Sequence, residues 1–202
     1  MAAGLGGEQD RPMALDALDE ALLYSMADTL SGGYRPLPMH LRSALERRLA
    51  VAGRPTPEAA HALEIAGHLP PFPDARESVE LLAGAGLGVG VLTNSSAESA
   101  VGALRSGGLD DSLGAVIGVD ALEVFKPHPR VYLLAVERLG VEPDEICMVS
   151  AHGWDVMGAS RAGMRTAWVA RNERKLAAVV PEPDVQAEDL ASAAKAIVDQ
   201  LR

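Results

Sequence analysis

The chain has 202 residues, 48% of them hydrophobic, which is enough for one good core and a smaller accessory domain. Its formal charge of −10 and pI near 4.9 speak against nucleic acid or an anionic membrane as partner, but a small anionic substrate fits a locally positive site. No apolar run reaches the roughly 20 residues of a membrane span, "MAAGLGGEQDRP" lacks the basic and apolar regions of a signal peptide, and a single cysteine cannot form an internal disulfide, so a cytoplasmic protein is expected.

In chain order, residues 14 to 67 are helical in character. "LDALDEALLYSMADTL" places Leu15, Leu18, Leu22, Met26 and Leu30 near helical spacing, "HLRSALERRLAVAG" repeats the pattern with Leu41, Leu45 and Leu49 up to Gly53, and "TPEAAHALEIAGHL" is a third helix. His40, His61 and His68 have no partner at metal-ligand spacing and are expected at the surface. Stacked prolines in "PPFPD", residues 70 to 74, mark a boundary. The expected division is a helical domain over 1–73 and an α/β domain over 74–202.

Beyond the boundary the rhythm changes. Helix "ARESVELLAGAG", apolar run "LGVGVLTN", helix "SAESAVGALRSGG", run "AVIGVD", helix "PRVYLLAVERLG", run "EICMVSA", helix "DVMGASRAG" and run "RTAWVA" follow one another. Short apolar runs alternating with helices predict an α/β fold with a parallel sheet. The tail "VVPEPDVQAEDLASAAKAIVDQLR" reads as a proline-rich loop and a closing amphipathic helix. Cys147, in "EICMVS", is expected as a buried strand residue and not as a nucleophile.

Ligands of such sheets sit at the carboxyl ends of the strands. The polar residues there are Thr93, Asn94 and Ser95 after the first run, Asp120 after the second with Lys126 shortly beyond, and Ser150, His152 and Asp155 after the third. Each has an ordinary alternative. Thr93, Asn94 or Ser95 could cap the next helix, Lys126 could be a solvated loop residue, Asp155 could meet the dipole of a helix N-terminus, and Tyr132 and Trp154 could simply pack.

Taken jointly, "VLTNSS", "KPHPRVY" and "VSAHGWDVMGASRAG", in this order on successive strand ends, resemble the haloacid dehalogenase superfamily and in particular its type II, L-2-haloacid dehalogenases. The resemblance runs from about residue 70 to the C-terminus, and "ALLYSMADTLSGGYRP" looks like part of that family's cap. It implies a Rossmann-like core with crossover helices, an N-terminal helical cap, and hydrolysis of a small 2-halo carboxylate through an aspartyl ester. By resemblance Lys126, Asp155, Ser150 and His152 are catalytic, while Thr93, Asn94 and Tyr132 bind the substrate. Lys126 would keep the nucleophile ionised and offset the substrate carboxylate, held in place by the prolines of "KPHP". No cofactor is implied. Where the superfamily's phosphatases carry a magnesium-ligating aspartate this chain has Ala151, which points to a metal-independent reaction. A homodimer is left open.

The chain departs from the family in two respects. His152 stands where many dehalogenases have asparagine. The nucleophile motif Asp-x-x-Gly-Thr, with its apolar first strand, has no counterpart: Asp16, Asp19 and Asp28 lie in helical sequence, and Arg11 and Arg35 are poor matches for the family's halide-binding arginine. The resemblance places that first strand between "GVGVLT" and "EICMVS", so both neighbours should lack a ladder partner, at about 1 to 3 kcal/mol per buried unpaired backbone group. The expectation is an N-terminally shortened enzyme without its nucleophile. The alternative is a catalytically dead relative that binds a small anion or a protein partner.

Overall fold

Pro12 in the first turn of α1 (Arg11–Ser31) and Gly32 beyond it, at φ 79°, set the limits of the first helix, because proline suits a helix start and glycine reverses the chain at no steric cost. The computed structural model describes residues 10–66, 69–171 and 173–200. His68 and most of the segment read for a signal peptide lie outside the described residues.

Helix α1 lies against α2 (Leu37–Val51), and α3 (Glu58–Ala66) completes the N-terminal layer. The buried residues of α1 are Ala17, Glu20, Ala21, Leu22 and Ser25, and Ala17 and Ala21 meet Ala44, Leu45 and Leu49 of α2 and Ala59 of α3. The predicted helix is present, and of the leucines at helical spacing Leu22 is buried while Leu15 is 39% and Leu30 88% exposed. Small alanines let the helices approach closely, so packing, not leucine spacing, chooses the inward face. Glu20 pairs with Arg47 and Arg48 at the edge of this contact, and the hydrogen bonds from Arg47 hold its carboxyl below the ordinary value despite opposing burial. The surface expectation for His40 is corrected. It is 8% exposed, with its imidazole Nε2 3.2 Å from Asp28 and its ring edge-on to Phe125.

After the proline segment come α4 (Ala75–Gly84), β1 (Gly90–Thr93), α5 (Ala97–Ser106), β2 (Ala115–Gly118), α6 (Pro129–Leu139), β3 (Cys147–Ser150), α7 (Gly153–Arg161), β4 (Arg165–Val169), β5 (Val185–Ala187) and α8 (Leu190–Asp199). The helix starts have clear causes. Ser96 accepts from the Ser99 amide, Asp189 accepts from the Ser192 amide, and His128 caps α6 ahead of Pro129. The tail holds one element more than predicted, since β5 pairs with β4; three residues shortly after Pro181 and Pro183 are too short for a periodicity signal.

All strand pairs are parallel, and they form two sheets, β1–β2 and β3–β4–β5. Both sheets share both helical layers. On one face Leu92 and Ile117 of the first sheet and Met148 of the second pack with Tyr132 and Ala135 of α6 and Ala159 of α7. On the other, Val89, Cys147, Val149, Ala167 and Val169 pack with Leu82 of α4 and Ala193, Ala194 and Ile197 of α8. The open edges of β1 and β3 thus belong to one layer, with no strand between them among the described residues, at the place where the family resemblance puts its first strand. Burial reflects the interruption: β4, paired on both sides, is buried from Thr166 to Val169, whereas no residue of β1 or β3 is fully buried.

Two contacts fasten the layers. Asp74 accepts from Arg171 Nη2 at 2.6 Å and from the Leu190 amide at 2.9 Å, with Arg171 stacked 4.1 Å over Phe72. Between α1 and the loop ahead of α6, the Phe125 amide donates to Thr29 Oγ1 at 2.9 Å, and the ring stacks on Tyr34 at 5.2 Å.

Candidate functional site

Lys126 leaves that loop directly after Phe125 and is 7% exposed, so it is not a solvated loop residue. Its amide donates to Asn94 Oδ1 at 2.8 Å, which ties the loop to the end of β1. Its ammonium donates to the Leu92 carbonyl at 3.0 Å and to Asp155 Oδ2 at 2.8 Å. An ammonium has three protons, and these contacts use two of them, leaving one for a further anionic acceptor.

Asp155, 3% exposed, stands in the first turn of α7, where the helix dipole favours its negative charge. Its second oxygen accepts from the Tyr132 hydroxyl at 2.8 Å. Burial, reinforced by the Asp155 charge, holds the Tyr132 hydroxyl far above its ordinary value, so it remains a donor. The fully buried ring also fixes the distance between α6 and α7, since it fills the space beside Gly158.

Lys126, Asp155, Tyr132 and Asn94 therefore make one hydrogen-bonded set. Asn94 is 7% exposed, and its Nδ2 has no acceptor among the described residues although Oδ1 is used. The other predicted residues share the same strand ends but bond locally. Thr93 Oγ1 accepts from the Ser95 amide at 3.0 Å, and Ser150 Oγ accepts from the His152 amide at 3.2 Å. None of Thr93, Asn94 and Ser95 caps α5, whose cap is Ser96. His152 stacks on Trp154 at 5.2 Å, with Nδ1 3.7 Å from Glu173, and Trp154 lies 5.9 Å from the Lys126 ammonium. Asp120 accepts from the Ala97 amide and so secures the start of α5. Cys147 is in strand β3 but half-buried; burial, aided by Asp184, pushes its thiol up to about 11, which leaves it unreactive.

Sequence reasoning missed two features. The Thr29, Tyr34 and His40 clamp on Phe125 had one available signal, a lone phenylalanine beside the lysine. Glu173, whose Oε2 accepts from the Gly153 amide at 2.9 Å at the start of α7, lies in a loop with no periodicity to reveal it. Among the described residues no three His, Cys, Asp or Glu side chains converge as a metal site, and no helix is long and apolar enough to cross a membrane.

Residues 18–163 match the haloacid dehalogenase-like hydrolase family. The chain is 36% identical over 152 residues to (S)-2-haloacid dehalogenase 1 of Pseudomonas sp. (strain CBS-3), covering 74% of this chain and 67% of that protein. It is 41% identical over 100 residues to (S)-2-haloacid dehalogenase 4A of Burkholderia cepacia, covering 50% and 43%. Among solved structures it superposes on the L-2-haloacid dehalogenase from Xanthobacter autotrophicus with chloropropionic acid covalently bound, with a TM-score of 0.85 at 29% identity over 94% of this chain and 87% of that one. The matched stretch thus spans 43% to 67% of the length of these two curated relatives.

Proposed function

The chain belongs to the haloacid dehalogenase-like hydrolases, and from that premise we propose that it carries the charge-stabilising half of a site for hydrolytic dehalogenation of a small 2-haloalkanoic acid. The observation that carries this reading is the buried Lys126 ammonium, held by the Leu92 carbonyl and Asp155 at the ends of β1 and β3, with a proton to spare. In this reading the spare proton and Asn94 Nδ2 receive carboxylate oxygens. Asp155, engaged by Lys126 and Tyr132, orients the ammonium and does not attack. The full reaction needs a second carboxylate whose oxygen attacks C2 while the carbon–halogen bond breaks and halide leaves; water then cleaves the ester and regenerates the acid. The covalently bound chloropropionic acid of the Xanthobacter structure supports that course.

A second reading, a protein that binds a small carboxylate without turning it over, is favoured by one observation. Among the described residues no aspartate faces Lys126 from a strand between β1 and β3. Calorimetry with (S)-2-chloropropionate, paired with chloride release, tests both. Binding that Lys126→Met abolishes is expected on either reading, and chloride release selects the hydrolase. Undiminished binding by Lys126→Met overturns the site.

A further inference from the structure

We propose that His128 makes the start of α6 acid-sensitive, so that protonation of one half-buried imidazole loosens the turn that holds Lys126. The residue joins that turn to the helix through three hydrogen bonds. Its amide donates to the Phe125 carbonyl at 3.0 Å, its carbonyl accepts from the Val131 amide at 3.0 Å, and Nδ1 accepts from the Arg130 amide at 3.3 Å. Only the last depends on protonation. A ring nitrogen accepts a hydrogen bond when it carries no proton, and both nitrogens of an imidazolium are donors. The side-chain cap therefore exists in the neutral form alone.

Among the described residues no carboxylate offsets the added charge. The first turn of α6 holds no acidic residue, and Arg130 already places a cation there, where the helix dipole disfavours positive charge. His40, His61 and His152 each have a carboxylate within 3.9 Å, from Asp28, Glu64 and Glu173, whereas His128 has none. The acids of neighbouring elements are engaged elsewhere: Asp155 with Lys126 and Tyr132, Asp28 with Arg35 and His40, and Asp120 with the Ala97 amide. Helix α7 gives the contrast. It too starts on a histidine, but His152 makes no side-chain cap, and Glu173 accepts from the Gly153 amide beside it. Two site residues depend on the start of α6. Lys126 lies two residues before His128, and Tyr132, whose hydroxyl holds Asp155, lies four residues after it. The cap is present at pH 8 and is lost as the pH falls toward 5, the range in which imidazoles gain a proton. The effect on a bound carboxylate rests on the functional reading above, and the state of the imidazole does not.

The test compares the full chain with His128→Asn, because asparagine caps a helix at either pH. From pH 8 to pH 5 the hydrogen-exchange protection factor of the Arg130 amide is expected to fall ~5-fold in the parent, the usual worth of a cap, and to stay constant in the variant. His128→Ala, without a cap at any pH, should show the lower protection throughout. The ratio of variant to parent affinity for (S)-2-chloropropionate should rise ~5-fold over the same interval. In that ratio the titration of the other histidines, common to both proteins, cancels. An Arg130 amide that keeps its protection in the parent, or loses it equally in His128→Asn, overturns the proposal. So does an alanine variant as well protected as the asparagine one, or an affinity ratio that stays constant or falls on acidification. If neither protein binds chloropropionate while the Arg130 amide responds as expected, the acid-sensitive start of α6 stands and the functional reading fails.

Discussion

Replacing Gly158 by alanine should destabilise the protein, against the direction that helix propensity predicts. In the interior of α7 the change gains about 1 kcal/mol on propensity alone. A β-carbon at that position, however, comes within 2.7 Å of Cε2 and Cζ of Tyr132 and still closer to its hydroxyl. The ring is fully buried, so it cannot yield into solvent. Overpacking of this kind costs about 1–3 kcal/mol. Displacing the hydroxyl from Asp155 also removes a hydrogen bond to a charged acceptor, about 1.5–3 kcal/mol more. The net loss is about 1.5–5 kcal/mol, read as a lower urea midpoint by circular dichroism at pH 7 with an unchanged slope. In a Tyr132→Leu background the same substitution should instead stabilise by up to about 1 kcal/mol, because the atoms it strikes are gone and the propensity gain remains. A Gly158→Ala protein as stable as the parent, or more so, would refute the placement of the ring against α7 and with it the support of Asp155.

Removing one member of the buried Lys126–Asp155 pair should cost about 3–5 kcal/mol, whereas Lys126→Met combined with Asp155→Leu should cost about 1–3 kcal/mol less than the sum of the single losses; additive losses in a denaturation cycle would show that the two do not interact. Burial raises the Asp74 carboxyl, but the Arg171 hydrogen bond and charge and the Leu190 amide outweigh it and hold it below its ordinary value. Asp74 therefore contributes stability that is complete above a pH of about 4 and is lost as the pH falls through the lowered value. Asp74→Asn should shift the urea midpoint at pH 7 and much less at pH 2, and equal shifts would contradict the assignment. Binding of (S)-2-chloropropionate should be unchanged after EDTA treatment, as the methyl side chain of Ala151, in place of a ligating carboxylate, suggests; lost binding restored by magnesium would reverse that reading.

The alternation of apolar runs and helices beyond residue 74 made the α/β layer legible, because buried parallel strands and amphipathic helices carry different periods. β5 was not, being three residues long and directly after a proline-rich loop. The interruption of the sheet was legible only by comparison with a family pattern, since an absent strand leaves no local signal. In the site, Lys126, Asp155 and Tyr132 are brought together by the ends of β1 and β3 and the crossover α6, a convergence that strand-end placement anticipates. The partnership of Asn94 with the lysine backbone, and the use of Glu173 at the start of α7, come from loops whose course depends on tertiary packing. The same limit explains α1. Its leucines have helical spacing, yet the alanines, by permitting close approach to α2, decide which side faces inward.

The clamp on Phe125 has a consequence for the order of folding. The Lys126 contacts with Leu92 and Asp155 join residues 34 and 29 apart in sequence, whereas the Thr29–Phe125 bond joins residues 96 apart. By loop-closure entropy the longer connection costs about 1 kcal/mol more to close than the shorter ones. On closure entropy alone, the ammonium cluster is expected to assemble within the α/β layer before the contact of the helical layer with the finished loop. A protease cut in the stacked prolines followed by removal of the helical layer should leave Lys126 still bound to its carboxylate, with Phe125 newly open to solvent.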